Sequence, residues 1–190
     1  MLCGMARLIY SMNQSLDGHT ADATGSFGWG GPDETVHAFF NELTAPIGTF
    51  LYGRRMYETM VFWETAGSLP DEPPVFHEFA ELWQAADKIV YSRTVMSPSS
   101  ARTEIRPEFD ADEIRRLKAS ASRDLAVAGP ELAAEAIRAG LVDEYQLVIS
   151  PALTGGGTRF FPDGVAADLE LRDVQRITAD VVFLRYVTKS

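Results

Sequence analysis

Apolar positions along this chain fall into short continuous runs, separated by longer stretches in which they recur at helical spacing. Residues 7–12 (RLIYSM) predict a first strand that breaks into a turn-rich segment at 13–18. Residues 24–31 (TGSFGWGG) predict a glycine-rich loop carrying Phe27 and Trp29. Pro32-Asp33-Glu34 reads as a helix start with acids in its first turn, and Val36, Phe39, Phe40 and Leu43 follow at helical spacing. A strand at 49–52, a helix at 54–60, an irregular acidic stretch at 62–74 with Trp63, and a helix at 75–85 come next. A strand at 88–91, a loop at 97–100, a short strand at 103–105 and a charged amphipathic helix at 111–121 continue the alternation. The pattern then gives a strand at 125–128, a helix at 132–139 capped by Gly140, and a strand at 144–150. A flexible loop at 154–158 leads to two closing strands at 169–174 and 181–187. Strands alternate with helices through most of the chain, and strand follows strand at its end. That order predicts one α/β domain over residues 1–190, with a mostly parallel sheet and an antiparallel C-terminal edge.

One construction occurs twice: an apolar strand runs into glycine and then a helix. Thr49-Phe50-Leu51-Tyr52 meets Gly53-Arg54-Arg55, and Leu125-Ala126-Val127-Ala128 meets Gly129-Pro130-Glu131. Glycine lets the backbone turn tightly and lets a ligand approach it. The helix behind it offers unpaired N–H groups and a positive dipole end, which favour phosphate. Two such junctions in one sheet suit a dinucleotide held along its phosphate chain. Neither matches GxxxxGKS/T or GxGxxG, so each alone is ordinary turn chemistry.

Composition narrows the partners. Seventeen basic against 27 acidic residues give a net charge of -10, which disfavours nucleic acid and anionic membranes. Cys3 is the only cysteine, so an intramolecular disulfide is excluded and a reducing, cytoplasmic setting is expected. The N-terminus lacks the pattern of a signal peptide, and nothing approaches the ~18 apolar residues of a membrane helix. Three histidines without HxxxH-type spacing or clustered carboxylates predict no metal site.

In an open α/β sheet, ligands sit beyond the carboxyl ends of the strands. Segments 12–18, 53–55, 92–94 and 129–131 should meet there. Arg54, Arg55 and Arg93 are the candidates to neutralise a pyrophosphate or an extra ribose phosphate; a solvated surface charge is the alternative for any one of them. Candidate acids and bases are Asp17, Asp33, Glu34 and His37. Asp33 and His37 are four apart on one helix, hence on one face, although Asp33 and Glu34 also suit helix capping. Trp29 either covers a ligand or plugs the edge of the core. Ser15 lacks a GxSxG elbow, so serine hydrolase chemistry has little support.

The runs LIYSMNQSLDG, LYGRRMYETM, KIVYSRT and DLAVAGPELAAEAIRAGLVDEYQLVISPALTGGGTRFF resemble, in that order, the dihydrofolate-reductase-like family, in its riboflavin-biosynthesis reductase branch of RibD C-terminal type. The resemblance runs from Arg7 to Val187. It implies a Rossmann-like three-layer α/β/α fold, NADPH as hydride donor, and a homodimer. It also implies that Gly53, Arg54 and Arg55 form the phosphate-binding turn, Ser92, Arg93 and Thr94 the adenosine-phosphate turn, and Gly129, Pro130 and Glu131 the pyrophosphate turn. Ser15, Leu16 and Asp17 match the loop beside the nicotinamide. The expected reaction is hydride transfer to a small pterin- or pyrimidine-like heterocycle. Phe27, Trp29 and Trp63 would stack against the ring, and Asp33, His37 or Asp17 would handle a proton. Pro130 stands where the family has a second glycine and lacks an N–H donor. The alternative reading is a dimeric nucleotide-binding protein of the same fold without catalysis.

Overall fold

The computed structural model describes residues 5–30, 33–69 and 72–189; Cys3 and the expected helix-opening Pro32 lie outside them. The chain runs β1 (Leu8–Ser15), β2 (His19–Ala21), a short 3-10 turn (Gly28–Gly30), α1 (Glu34–Thr44), β3 (Ile47–Gly53), α2 (Arg54–Met60), α3 (Trp63–Ala66), α4 (Pro74–Ala85) and β4 (Asp87–Tyr91). It continues β5 (Thr103–Arg106), α5 (Ala111–Ser120), β6 (Asp124–Ala128), α6 (Pro130–Arg138), β7 (Glu144–Ser150), β8 (Thr158–Arg159), β9 (Leu169–Arg176) and β10 (Val182–Thr188).

Eight strands form one sheet in the order β5-β4-β3-β6-β1-β7-β10-β9. Pairing is parallel from β5 to β7 and antiparallel for β10 against β7 and β9 against β10. Strand residues feed two apolar layers by strict alternation. Leu8, Tyr10, Leu51, Val127 and Leu147 pack on one side with Ile114 of α5 and Leu132, Ala133 and Ile137 of α6. Ile9, Phe50, Tyr52 and Val90 pack on the other with Tyr57, Phe79 and Trp83, and Val36 of α1 covers Val148 and Phe183. This is the three-layer architecture and the antiparallel C-terminal edge that the sequence pattern and the resemblance predict.

Several local expectations change. β1 runs past residue 12 to Ser15, because Asn13, Gln14 and Ser15 pair with Val148, Ile149 and Ser150 of β7. The turn is confined to 16–18, where Gly18 has φ +85. Within the stretch expected to be irregular, Trp63–Ala66 forms α3; the same stretch includes Pro70 and Asp71, outside the described residues. The glycine-rich 154–158 loop is tied down rather than flexible: Asp17 accepts from its backbone and β8 pairs with β2.

Candidate functional site

The two strand-glycine-helix junctions sit side by side. β3 and β6 pair through Tyr52 and Ala128, so Gly53 and Gly129 are the next residues on adjacent strands. From β3 the chain proceeds to β4, and from β6 to β7, in opposite directions along the sheet. Such a reversal opens a crevice at the carboxyl edge, which is where an open α/β sheet binds ligands. Gly129 has φ +93, and a Cβ there would stand 3.0 Å from the Cβ of Met56 on α2. Glycine is what allows α6 to start this close to α2.

Basic groups surround the crevice, each with a carboxylate partner. Arg55 Nη1 donates to Glu131 Oε1 at 2.9 Å, which bridges the starts of α2 and α6. Arg54 donates to Glu58 at 3.1 Å, and Arg93, just past β4, donates to Glu108 at 2.6 Å. Ser92 Oγ accepts from the amides of Thr94 and Val95 and fixes the turn that carries Arg93. The Arg55 and Arg93 side chains are 76% and 74% exposed. Ion pairs this exposed contribute about 0–1 kcal/mol, so a phosphate can displace the glutamates at small cost.

At the neighbouring strand ends, β1 and β7 carry a hydrogen-bonded knot. Ser15 Oγ donates to Asp17 Oδ1 at 2.6 Å and accepts from the amide of His19 at 3.0 Å. Asp17 also accepts from the amides of Thr154 at 3.2 Å and Gly155 at 2.8 Å. The Ser15 hydroxyl and then these amides hold the Asp17 carboxyl well below the usual carboxylate range. Asp17 is therefore an acceptor that ties two loops together, not a donor of protons near neutrality. Ser15 is fully buried, its hydroxyl donating to Asp17 and accepting from the His19 amide. Leu16, by contrast, is 67% exposed.

Asp33 and His37 do not converge. Asp33 caps α1, its carboxylate accepting from the amide of Val36 at 2.9 Å, while Glu34 is exposed in the first turn. His37 is buried in an aromatic cage, with ring centroids 4.6 Å from Phe76, 5.5 Å from Trp63 and 5.6 Å from Phe79. Trp63 belongs to the same cage, 4.6 Å from Phe79, and packs, partly buried, against the core on the α4 side. Phe27 is 57% exposed, and half-buried Trp29 donates from its indole to Ser26 O on the same loop. Those two remain aromatic groups available to a ligand.

Burial pushes the His37 imidazole below its ordinary value of 6.5, with Glu78 opposing. The folded ring takes up its proton at lower pH than the unfolded chain, which charges as pH falls through 6.5. Stability is thus retained above that pH and declines below it, by at most about 1.4 kcal/mol per pH unit. His37→Phe should keep the cage and flatten this slope. Thermal midpoints measured from pH 7.5 to 5 check it, and an unchanged slope would refute the assignment.

Sequence reasoning missed His19, whose Nδ1 lies 3.5 Å from Asp17 Oδ1, and the Thr154-Gly155 amides. The triple glycine at 155–157 was the available signal for the latter. Among the described residues no three His, Cys, Asp or Glu side chains gather as metal ligands, and no helix is long and apolar enough to cross a membrane.

A Bacillus subtilis (strain 168) protein, the uncharacterized protein YyaP, is 29% identical over 160 residues, covering 83% of this chain and 81% of that one. A putative riboflavin biosynthesis protein from Shewanella sp. PV-4 superimposes with a TM-score of 0.72 at 19% identity, over 98% of this chain and 100% of that one. A Thermotoga maritima diaminohydroxyphosphoribosylaminopyrimidine deaminase/5-amino-6-(5-phosphoribosylamino)uracil reductase superimposes with a TM-score of 0.66 at 15% identity, over 97% of this chain and 57% of that one. At such identities these structures share the fold. The RibD C-terminal domain family matches residues 6–183, and this chain belongs to that family.

Proposed function

We propose that this protein is a cytoplasmic, NADPH-dependent reductase of a small heterocycle, pyrimidine-like or pterin-like. The observation that carries the proposal is the pair of glycine junctions on adjacent strands β3 and β6, with Arg54, Arg55 and Arg93 near these strand ends on exposed ion pairs. Gly129 brings the start of α6 against Met56 of α2, and a helix start there offers amides of the kind that bind phosphate. In this reading Gly129, Pro130 and Glu131 border the pyrophosphate, Gly53 and Arg55 hold phosphate oxygens, and Ser92, Arg93 and Thr94 hold the adenosine phosphate. Leu16, Phe27 and Trp29 flank the ring end. NADPH, when bound, supplies the hydride; the chain orients the two rings and keeps water from them. The reductase named in the Thermotoga maritima protein supports a pyrimidine-like substrate over a pterin.

Fluorescence titration tests the cofactor. NADPH should bind more tightly than NADH, and Arg55→Gln should weaken NADPH by about tenfold to a hundredfold, the worth of a charge-assisted contact. No NADPH binding up to millimolar concentration would end the proposal. One observation favours a second reading, a nucleotide-binding protein without catalysis: Asp33 caps α1, Asp17 accepts from loop amides and His37 sits among aromatic rings, so each already has a structural role. A single turnover of NADPH with any pyrimidine or pterin eliminates it.

A homodimer completes the proposal. Leu171 and Val174 on the edge strand β9 and Val182 on its neighbour β10 are 48%, 56% and 37% exposed, an apolar surface suited to a second copy. Sedimentation at micromolar concentration reads the state directly, and a monomer there would remove this element.

A further inference from the structure

We propose that Asp17 is a positioning residue: its carboxylate clamps the 152–155 backbone onto the β1–β2 turn and so holds Leu16 and Leu153 as an apolar wall for the ring end of a bound dinucleotide. This rests on the NADPH reading above.

The clamp is built from several contacts on one side chain. Oδ1 accepts from Ser15 Oγ at 2.6 Å and from Thr154 Oγ1 at 3.3 Å. Oδ2 accepts from the amides of Thr154 at 3.2 Å and Gly155 at 2.8 Å. Successive amides folded around one anion form a nest, made possible here by the positive φ of +69 at Gly155. Backbone contacts extend it. The amide of Leu16 donates to Ala152 O at 2.8 Å, and that of Phe160 donates to Gly18 O at 3.0 Å.

Two leucines stand out from this rigid frame. Leu16 and Leu153 are 67% and 76% exposed, yet the backbone beside each is hydrogen-bonded. Large apolar side chains displayed on fixed backbone suit a flat apolar ligand face. Their place in the sheet agrees. Along the carboxyl edge the strands run β4, β3, β6, β1, β7, so Arg93 and the leucines lie at opposite ends of a line about 19 Å long at ~4.8 Å per strand. The phosphate crevice lies between them.

Asp17→Asn tests the clamp, because an amide has one acceptor oxygen and turns its NH2 toward the Gly155 or Thr154 amide. Leu153→Ala tests the wall with a side chain too exposed to matter for folding. Each variant is titrated with NADPH and with adenosine 2′,5′-bisphosphate, which contains the phosphate end and lacks the nicotinamide. Each should weaken NADPH by about tenfold, leave the bisphosphate unchanged within about twofold, and diminish the change in nicotinamide emission on binding. The double variant should bind NADPH no more weakly than Asp17→Asn alone, since the leucine acts only when clamped. Equal loss for both ligands, or no loss of NADPH affinity in Leu153→Ala, overturns the proposal. If Asp17→Asn does not fold, Leu153→Ala decides alone. Wild-type protein that binds neither ligand overturns the NADPH reading and this inference with it, whereas normal wild-type binding with indifferent variants overturns this inference only.

Discussion

Gly157→Ala is expected to lower stability by about 2–4 kcal/mol, which for a chain of this size is a thermal midpoint roughly 4–16 °C lower. Gly157 has φ +128, and a Cβ built there would lie 2.0 Å from the carbonyl oxygen of Ala21 and 2.5 Å from the carbonyl carbon of Asp22. Both neighbours are backbone, so no rotamer change relieves the contact. Either the 151–157 segment lifts or β2 separates from β8, and both movements strain the Asp17 clamp. Gly156 provides the comparison. Its φ is +149, but a Cβ there meets nothing within 4 Å, so Gly156→Ala should cost only backbone strain. Differential scanning calorimetry on the two variants reads the difference. A Gly157→Ala midpoint equal to that of Gly156→Ala would show that the close approach to Ala21 is not maintained in solution.

Trp83→Ala is expected to cost about 3–5 kcal/mol, the usual range for emptying a fully buried indole site. Trp83 is completely buried on α4, and its Nε1 donates to the hydroxyl of Tyr52 at 3.0 Å. Tyr52 is the residue before Gly53, so the indole braces the strand that delivers the crevice. Beneath the ring lies Lys88, 1% exposed, with Nζ 4.2 Å from the ring centroid. That ammonium donates to the carbonyls of Trp83 and Ala86 at 2.9 Å each, and burial pushes its pKa down. Removing the indole takes away the cation–π contact and opens a cavity beside a buried charge. Trp83→Phe keeps most of the volume and should cost less than half as much, the residual reflecting the unpaired Tyr52 hydroxyl. Urea unfolding with a common slope measures both. Equal losses for Ala and Phe would mean that the hydrogen bond, not the volume, carries the stability.

The alternation of strands and helices, both glycine junctions and the strand pair at the C-terminal edge were legible in the chain because each is written in short runs of sequence. Apolar runs with flanking glycine, and helical spacing from Val36 to Leu43, set element type before any long-range contact forms. Element ends were less legible. Asn13, Gln14 and Ser15 have the composition of a turn, yet pairing with β7 overrides it, since an unpaired edge beside a formed strand leaves amides unsatisfied. Arg54, Arg55 and Arg93 were recognisable as cations near strand ends. Their glutamate partners were not, because Arg55 and Glu131 are 76 residues apart.

The proton-handling candidates show the boundary most clearly. Periodicity places Asp33 and His37 on one face of α1, but a helix face has a direction only once its neighbours are in place. Packing of α3 and α4 surrounds His37 with Phe76, Phe79 and Trp63, which leaves Asp33 as a cap. Asp17 follows the same logic across 137 residues of chain, where the amide of Thr154 and then that of Gly155 turn a candidate acid into a clamp. Local sequence thus decided the elements, the two glycine junctions and the charges beside them, since these depend on nearest neighbours and on spacing. The roles of Asp17, His19 and His37 were decided by the tertiary structure alone, because hydrogen bonding and burial are set by residues brought together only when the sheet closes.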